Sequence, residues 1–146
     1  MKIVIQRVKS ASVTIDEKLY SSINQGLLIL YGVEKNDAKE FSEYLCQKLL
    51  KLRIFEDENG KMNRSIQDIK GSLLIVSQFT LAGDIRKGTR PSFDTAMPPK
   101  DAEIMYNDFV SMAKESGLEV KTGVFGAMMD VSLINDGPVT FILEKH

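Results

Sequence analysis

Ser77, Gln78 and Thr80 place two hydroxyls and an amide where the apolar run Leu73-Leu74-Ile75-Val76 ends. A hydroxyl attacks a carbonyl only when a base within hydrogen-bond reach takes its proton. The one histidine is His146, the last residue, expected to be solvated, which argues against a Ser-His-Asp arrangement. One Cys, one His and scattered acids provide no metal-ligand cluster. No G-x-x-x-x-G-K-[ST] motif occurs, and Gly123-Val124-Phe125-Gly126 is too short for a dinucleotide fingerprint. What remains is a site of hydroxyls, one amide and backbone groups, able to catalyse by positioning and oxyanion stabilisation. The plainer alternative is a strand end with a satisfied hydroxyl pair. A second stretch with chemical character is Gly137-Pro138-Val139-Thr140. It reads either as an ordinary turn or as a cis Gly-Pro bond that sets two carbonyl oxygens side by side as a polar wall.

The elements that must carry these residues follow from apolar periodicity. Leu73 to Val76 and Leu27 to Val33 are continuous apolar runs, the pattern of strands buried on both faces. Residues 2–8 and 10–15 alternate as two strands, and Asp16-Glu17-Lys18 makes a turn. Asp37 with Glu40 three residues on resembles a capping box, and Ala38, Phe41, Leu45, Leu49 and Leu52 give a helix to about Arg53. A short strand at 53–55 leads to an Asn59-Gly60 tight turn. Pro99 opens a second helix with the stripe Ala102, Met105, Tyr106, Phe109, Met112 and Ala113, which stops at Gly117. Strands are expected at 118–121, 127–134 and 139–144, the last two separated by a turn at Asn135-Asp136-Gly137-Pro138. Without regular strand-helix alternation, the order predicts an α+β fold: a mixed, largely antiparallel, barrel-like sheet with two packed helices.

A chain of 146 residues that is 43% hydrophobic supports one core, so residues 1–146 are read as a single domain. Nineteen Lys+Arg against 20 Asp+Glu leave a net charge of -1, so no global field marks a nucleic-acid or membrane partner, and an anionic ligand needs a local patch. Arg86, Lys87 and Arg90 form such a patch just beyond Thr80 and are expected to meet the phosphates of an anionic ligand held there. The lone Cys46 excludes an internal disulfide, and no signal peptide or membrane span is recognisable. A cytoplasmic location is expected.

Ser77-Gln78-Phe79-Thr80-Leu81 and Asn135-Asp136-Gly137-Pro138-Val139-Thr140 resemble the two signature motifs of the D-aminoacyl-tRNA deacylases. The likeness extends through Val4-Ile5-Gln6-Arg7-Val8, Leu52-Arg53-Ile54-Phe55, Gly60-Lys61-Met62-Asn63, Arg90-Pro91-Ser92-Phe93 and Thr122-Gly123-Val124-Phe125-Gly126. The resemblance implies hydrolysis of the ester between a D-amino acid and the terminal adenosine of tRNA, with no cofactor and no metal. It also implies a homodimer in which a cis Gly137-Pro138 of one subunit enters the other's site and excludes L-amino acids. By the same resemblance Ser77, Gln78, Phe79 and Thr80 line the pocket, Val139 and Thr140 complete the second motif, Phe125 and Met129 lie near the adenine, and Arg7 steadies the Gly-Pro element. Thr80 matches a position considered as a nucleophile. With no base in the sequence to activate it, the ribose 2'-hydroxyl is expected to assist water instead. Glycine, lacking a side chain, is expected to pass the filter. A binding module without turnover and a covalent Thr80 hydrolase are the alternatives.

Overall fold

The computed structural model describes residues 1–146. In chain order it contains β1 (Lys2–Ile15), β2 (Lys18–Ile23), β3 (Gly26–Gly32), α1 (Lys39–Lys51), β4 (Phe55–Glu56), β5 (Met62–Arg64), β6 (Ser72–Ser77), α2 (Pro99–Lys114), β7 (Val120–Thr122) and β8 (Asp130–Glu144), with a 3-10 turn at Phe79–Ala82. β1 runs through the break expected near Lys9. Its first half pairs antiparallel with β3 and its second half with β2, while β8 lies along its other edge. β3, β6 and β7 are mutually parallel, so the sheet is mixed. The Ser21 hydroxyl donates to the Thr122 carbonyl at 2.7 Å, bringing β2 against β7 and curling the sheet toward a barrel. β4 and β5 form a separate small hairpin around Gly60, whose φ of 72° only glycine adopts freely.

Alternation in the strands divides the core in two. Ile3, Ile5, Leu27, Ile29, Tyr31, Leu73 and Ile75 pack under the helices, whereas Val8, Ala11, Val13, Ile23, Leu28, Leu74 and Val76 fill the barrel side. The Tyr31 ring sits 4.7 Å from Phe109 and 6.1 Å from Tyr106, holding α2 on β3. The Tyr106 hydroxyl donates to the Ile75 carbonyl at 2.7 Å, which ties α2 to β6. Pro99 opens α2 as expected. The start of α1 differs from expectation, because Ala38 is the N-cap and no side chain caps the helix. Asp37 is committed elsewhere: its carboxylate takes the Met1 amine and accepts the Glu34 N–H at 2.7 Å. No helix is long and apolar enough to cross a membrane.

Candidate active site

β6 delivers the first motif to the edge of the sheet. Ser77 lies in register with Tyr31, and the Gln78 N–H donates to the Tyr31 carbonyl at 2.8 Å as the last rung of that ladder. The chain then turns sharply into the 3-10 turn, where Leu81 N–H reaches the Gln78 carbonyl at 3.2 Å and Gly83 N–H the Thr80 carbonyl at 3.0 Å. Those bonds use the later donors. The N–H groups of Phe79 and Thr80, at the start of the turn, have no carbonyl within it and stand available to an oxygen from outside. The turn packs on Gly32, where an added Cβ would meet Leu81 Cβ at 2.7 Å and the Gln78 carbonyl oxygen at 3.0 Å. The sequence reading missed Gly32, since a glycine ending an apolar run looks like simple punctuation.

The side chains argue against a nucleophile at Thr80. Its Oγ1 accepts a 2.5 Å hydrogen bond from the Gln78 side-chain amide, a donor that takes no proton. No group of three or more His, Cys, Asp or Glu residues gathers anywhere in the chain. Burial pushes the Tyr31 and Tyr106 phenols up, so both stay neutral. His146 is exposed beside Glu144 at 3.5 Å, at the far end of the chain.

Phe125 and Met129 flank the end of β6. Gly123 N–H donates to the Ile75 carbonyl at 3.2 Å, which leads the loop after β7 across that strand end. An added Cβ on Gly123 would meet Met129 Sδ at 2.6 Å and Val76 Cγ1 at 3.7 Å, so Met129 lies one residue from the motif. Phe125 is half-buried, its ring 5.9 Å from Tyr106. Both residues thus lie along the second half of β6, the strand that ends at Ser77.

The second motif forms a different structure in a different place. The 135–138 segment, expected as a turn between two strands, is absorbed into a continuous β8, with register shifts opposite Gln6 to Ser10 on β1. The Gly137-Pro138 bond is cis. Arg7, only 5% exposed, donates from Nε to the Asp136 carbonyl at 2.8 Å and from Nη1 to the Ile54 carbonyl at 2.6 Å. Asn135 spans the dipeptide, accepting the Val139 N–H at 2.7 Å and donating to the Val139 carbonyl at 3.3 Å and to Thr140 Oγ1 at 3.1 Å. Val139 is buried and Thr140 exposed, while Gly137 and Pro138 stand out from the sheet. Asn135 stands in the sequence as part of a turn and as the first residue of the second motif, without a role of its own.

One chain does not bring the two motifs together. Ser77 pairs with Tyr31, Tyr31 with Ile3 and Ile3 with Leu143, so Pro138 lies three strands across and five residues along from Ser77. At ~4.8 Å per strand and ~3.3 Å per residue, that is about 20 Å. The concavity of about 340 Å³ beside Arg7 and Asp136 and the one of about 440 Å³ beside Asp37 and Asp94 contain none of Ser77 to Thr80.

The D-Tyr-tRNA(Tyr) deacylase family model matches residues 4–144. The D-aminoacyl-tRNA deacylase of Geotalea daltonii is 58% identical over 99% of this chain and 96% of that protein. That of Thermosipho africanus is 56% identical over 99% of this chain and 97% of its own length. Among solved structures, the c-Myc DNA Unwinding Element Binding Protein superposes with a TM-score of 0.94 at 43% identity, covering 100% of this chain and 99% of that one. A probable eukaryotic D-amino acid tRNA deacylase shares the fold, with a TM-score of 0.84 at 16% identity over 97% of both chains. With a family match over nearly its whole length and relatives of this identity, the chain belongs to the D-Tyr-tRNA(Tyr) deacylase family.

Proposed function

We propose that this D-aminoacyl-tRNA deacylase works as a homodimer in the cytoplasm, each site formed by Ser77–Thr80 of one subunit and Gly137-Pro138 of the other. The ester carbonyl of the aminoacylated 3' adenosine lies against the free N–H groups of Phe79 and Thr80, which stabilise the oxyanion as it develops. Water attacks the carbonyl carbon, the bond to the ribose oxygen breaks, and the ribose 2'-hydroxyl passes a proton from the water to the departing oxygen. The products are free D-amino acid and tRNA. Phe125 and Met129 hold the adenine beside the end of β6. Thr80 positions the substrate and does not attack.

The observation that carries this reading is the hydrogen bond from the Gln78 amide to Thr80 Oγ1, within a motif that holds no carboxylate, imidazole or amine. Such a site needs a substrate that brings its own assistance, as an ester beside a ribose hydroxyl does. The distance between the two motifs in one chain supports the cross-subunit arrangement. So does the exposed edge of β8, where Ile134, Phe141 and Ile142 face outward on a strand that pairs only with β1.

In this arrangement Arg7 and Asn135 fix the Gly137-Pro138 segment, and its main-chain oxygens crowd the side an L side chain would occupy. Discrimination by clash makes the wrong ligand worse without improving the right one. Glycine on a non-cognate tRNA passes the same filter. Hydrolysis of matched D-, L- and glycyl-tRNA by the purified protein tests the proposal, with the D and glycyl esters lost and the L ester retained. Equal rates on D and L esters would refute the filter. Binding without ester loss would leave a module that holds tRNA without turnover, and a trapped acyl-enzyme would restore Thr80 as nucleophile.

A further inference from the structure

An aromatic pair stands beside the motif on the solvent side. Phe79, 60% exposed, and Phe93, 39% exposed, lie with ring centroids 5.0 Å apart at 58°. Both are fixed from below. Phe79 sits on the 3-10 turn, and the Phe93 ring fills the space beside Gly83, where an added Cβ would come within 3.0 Å of its Cε1 atom. The loop from Asp84 to Ser92 is closed by a reciprocal pair of backbone hydrogen bonds of 2.8 and 3.0 Å, which places Phe93 at its base. The Thr95 hydroxyl donates to the Ala82 carbonyl at 2.7 Å and secures the returning strand of that loop.

The charges on the loop are unequal in what they have left to offer. Arg86 is spent locally, because its Nε and Nη2 donate to the Asp84 carboxylate at 2.9 and 2.7 Å and hold that carboxyl far below its ordinary range. Lys87 and Arg90 engage no carboxylate within ion-pair distance. Two cations without a carboxylate partner, on the loop whose base carries Phe93, and two exposed aromatic rings match the way proteins hold unpaired nucleotides: stacking on the rings and charge on the backbone.

Resting on the deacylase reading above, we propose that Phe79 and Phe93 form a stacking platform for the unpaired nucleotides that precede the terminal adenosine, with Lys87 and Arg90 on their phosphates. A strand whose last base lies by Met129 and whose ester lies at Phe79 leaves the site across the Phe79 ring and meets Phe93 next. Phe93 is thus a positioning residue. It sets where the strand lies and leaves the ester chemistry untouched.

The test compares two substrates, D-aminoacyl-tRNA and the same D-amino acid esterified to adenosine alone, on wild type and on Phe93→Ala, Phe93→Leu and Phe93→Tyr. Stacking predicts that the Ala and Leu variants raise KM for the tRNA about 10-fold, that Tyr stays within about 2-fold of wild type, and that the adenosine ester is cleaved alike by all four. Affinity for uncharged tRNA should follow the same order without any turnover, and Lys87→Gln with Arg90→Gln should flatten its dependence on salt. Equal losses on both substrates would make Phe93 a packing residue and overturn the proposal. So would a Leu variant as good as wild type on tRNA, or no loss in any variant. Wild type that binds tRNA through Phe93 but cleaves neither ester would contradict the deacylase reading and leave the platform standing.

Discussion

At Thr80 the difference between a nucleophile and a positioning group comes down to whether a base stands ready to take the hydroxyl proton. A nucleophilic hydroxyl gives its proton to a base, whereas Thr80 Oγ1 accepts from the Gln78 amide, with no carboxylate, imidazole or amine in the motif to take a proton. Thr80→Ala is therefore expected to keep kcat within about ten-fold of wild type, the scale of a lost positioning contact, where loss of a true nucleophile costs about a million-fold. Single-turnover hydrolysis of D-aminoacyl-tRNA measures this, and a collapse of the rate in a variant that still folds and binds tRNA would reverse the assignment. The sequence already pointed this way, because its lone histidine is the last residue and no imidazole, carboxylate or amine lies within Ser77–Leu81. What inventory could not supply was geometry. The acceptor role of Thr80, the bracing of Val139 by Asn135 and the pairing of Phe93 with Phe79 all join residues through turns that have no period to read. Arg86 shows the converse: the sequence presents three equivalent cations, and the fold cancels one of them against Asp84.

Elements with a strong apolar period were readable and those held by tertiary pairing were not. The α1 stripe predicted Leu45 and Leu49 as core, and both are fully buried. β2 was missed because Lys-Leu-Tyr-Ser-Ser-Ile has no alternation of burial, with only Ile23 fully inside; the strand exists because β1 offers it an edge and Ser21 reaches β7. β8 was divided in two because Asn-Asp-Gly-Pro carries turn chemistry, yet the long edge of β1 keeps both halves in one strand and absorbs the extra residues as register shifts. The helix side of the core also sets a reactivity. Cys46 lies on the buried face of α1, and burial, with the Glu115 carboxylate adding to it, pushes its thiol up to about 11. The thiolate is the reacting form and its share falls ten-fold per pH unit below that value, while an unfolded thiol titrates near about 8.5. Iodoacetamide at pH 8 should thus label the native protein at least about 100-fold more slowly than the protein in denaturant, as mass spectrometry would show. Comparable rates in both states would mean that α1 does not seal that face.

For the molecule as a whole, the decisive feature is that one chain holds the two motifs, proposed above as halves of one site, on different parts of a curved sheet. β1 lies between them, with β8 and its Gly137-Pro138 on one edge and β3, leading to β6 and Ser77, on the other. A two-fold dimer can bring each half against its counterpart, because an isologous contact uses both halves twice. Mixing tests this directly. Gly137→Ala disturbs one half, since an added Cβ would meet the Val139 backbone nitrogen at 2.6 Å, whereas Gln78→Ala removes the amide that orients Thr80 in the other. Gly137→Ala alone should lose most of its activity on D-aminoacyl-tRNA, and Gln78→Ala no more than the about ten-fold expected of Thr80→Ala, so the mixture is read against the mean of the two variants. Unfolded together and refolded, half of the dimers should be mixed, and each mixed dimer carries one site with both halves intact and one with both altered. Activity should rise toward about a quarter of wild type above what the parent variants retain, with the L ester still rejected at the restored sites. Sedimentation of each variant separates this outcome from failed assembly, because both must run at twice the 16.4 kDa chain mass. Dimeric variants that regain nothing on mixing would place both halves of the site within one subunit, and the separation of about 20 Å implied by the strand spacings would then require a large movement of the chain on binding.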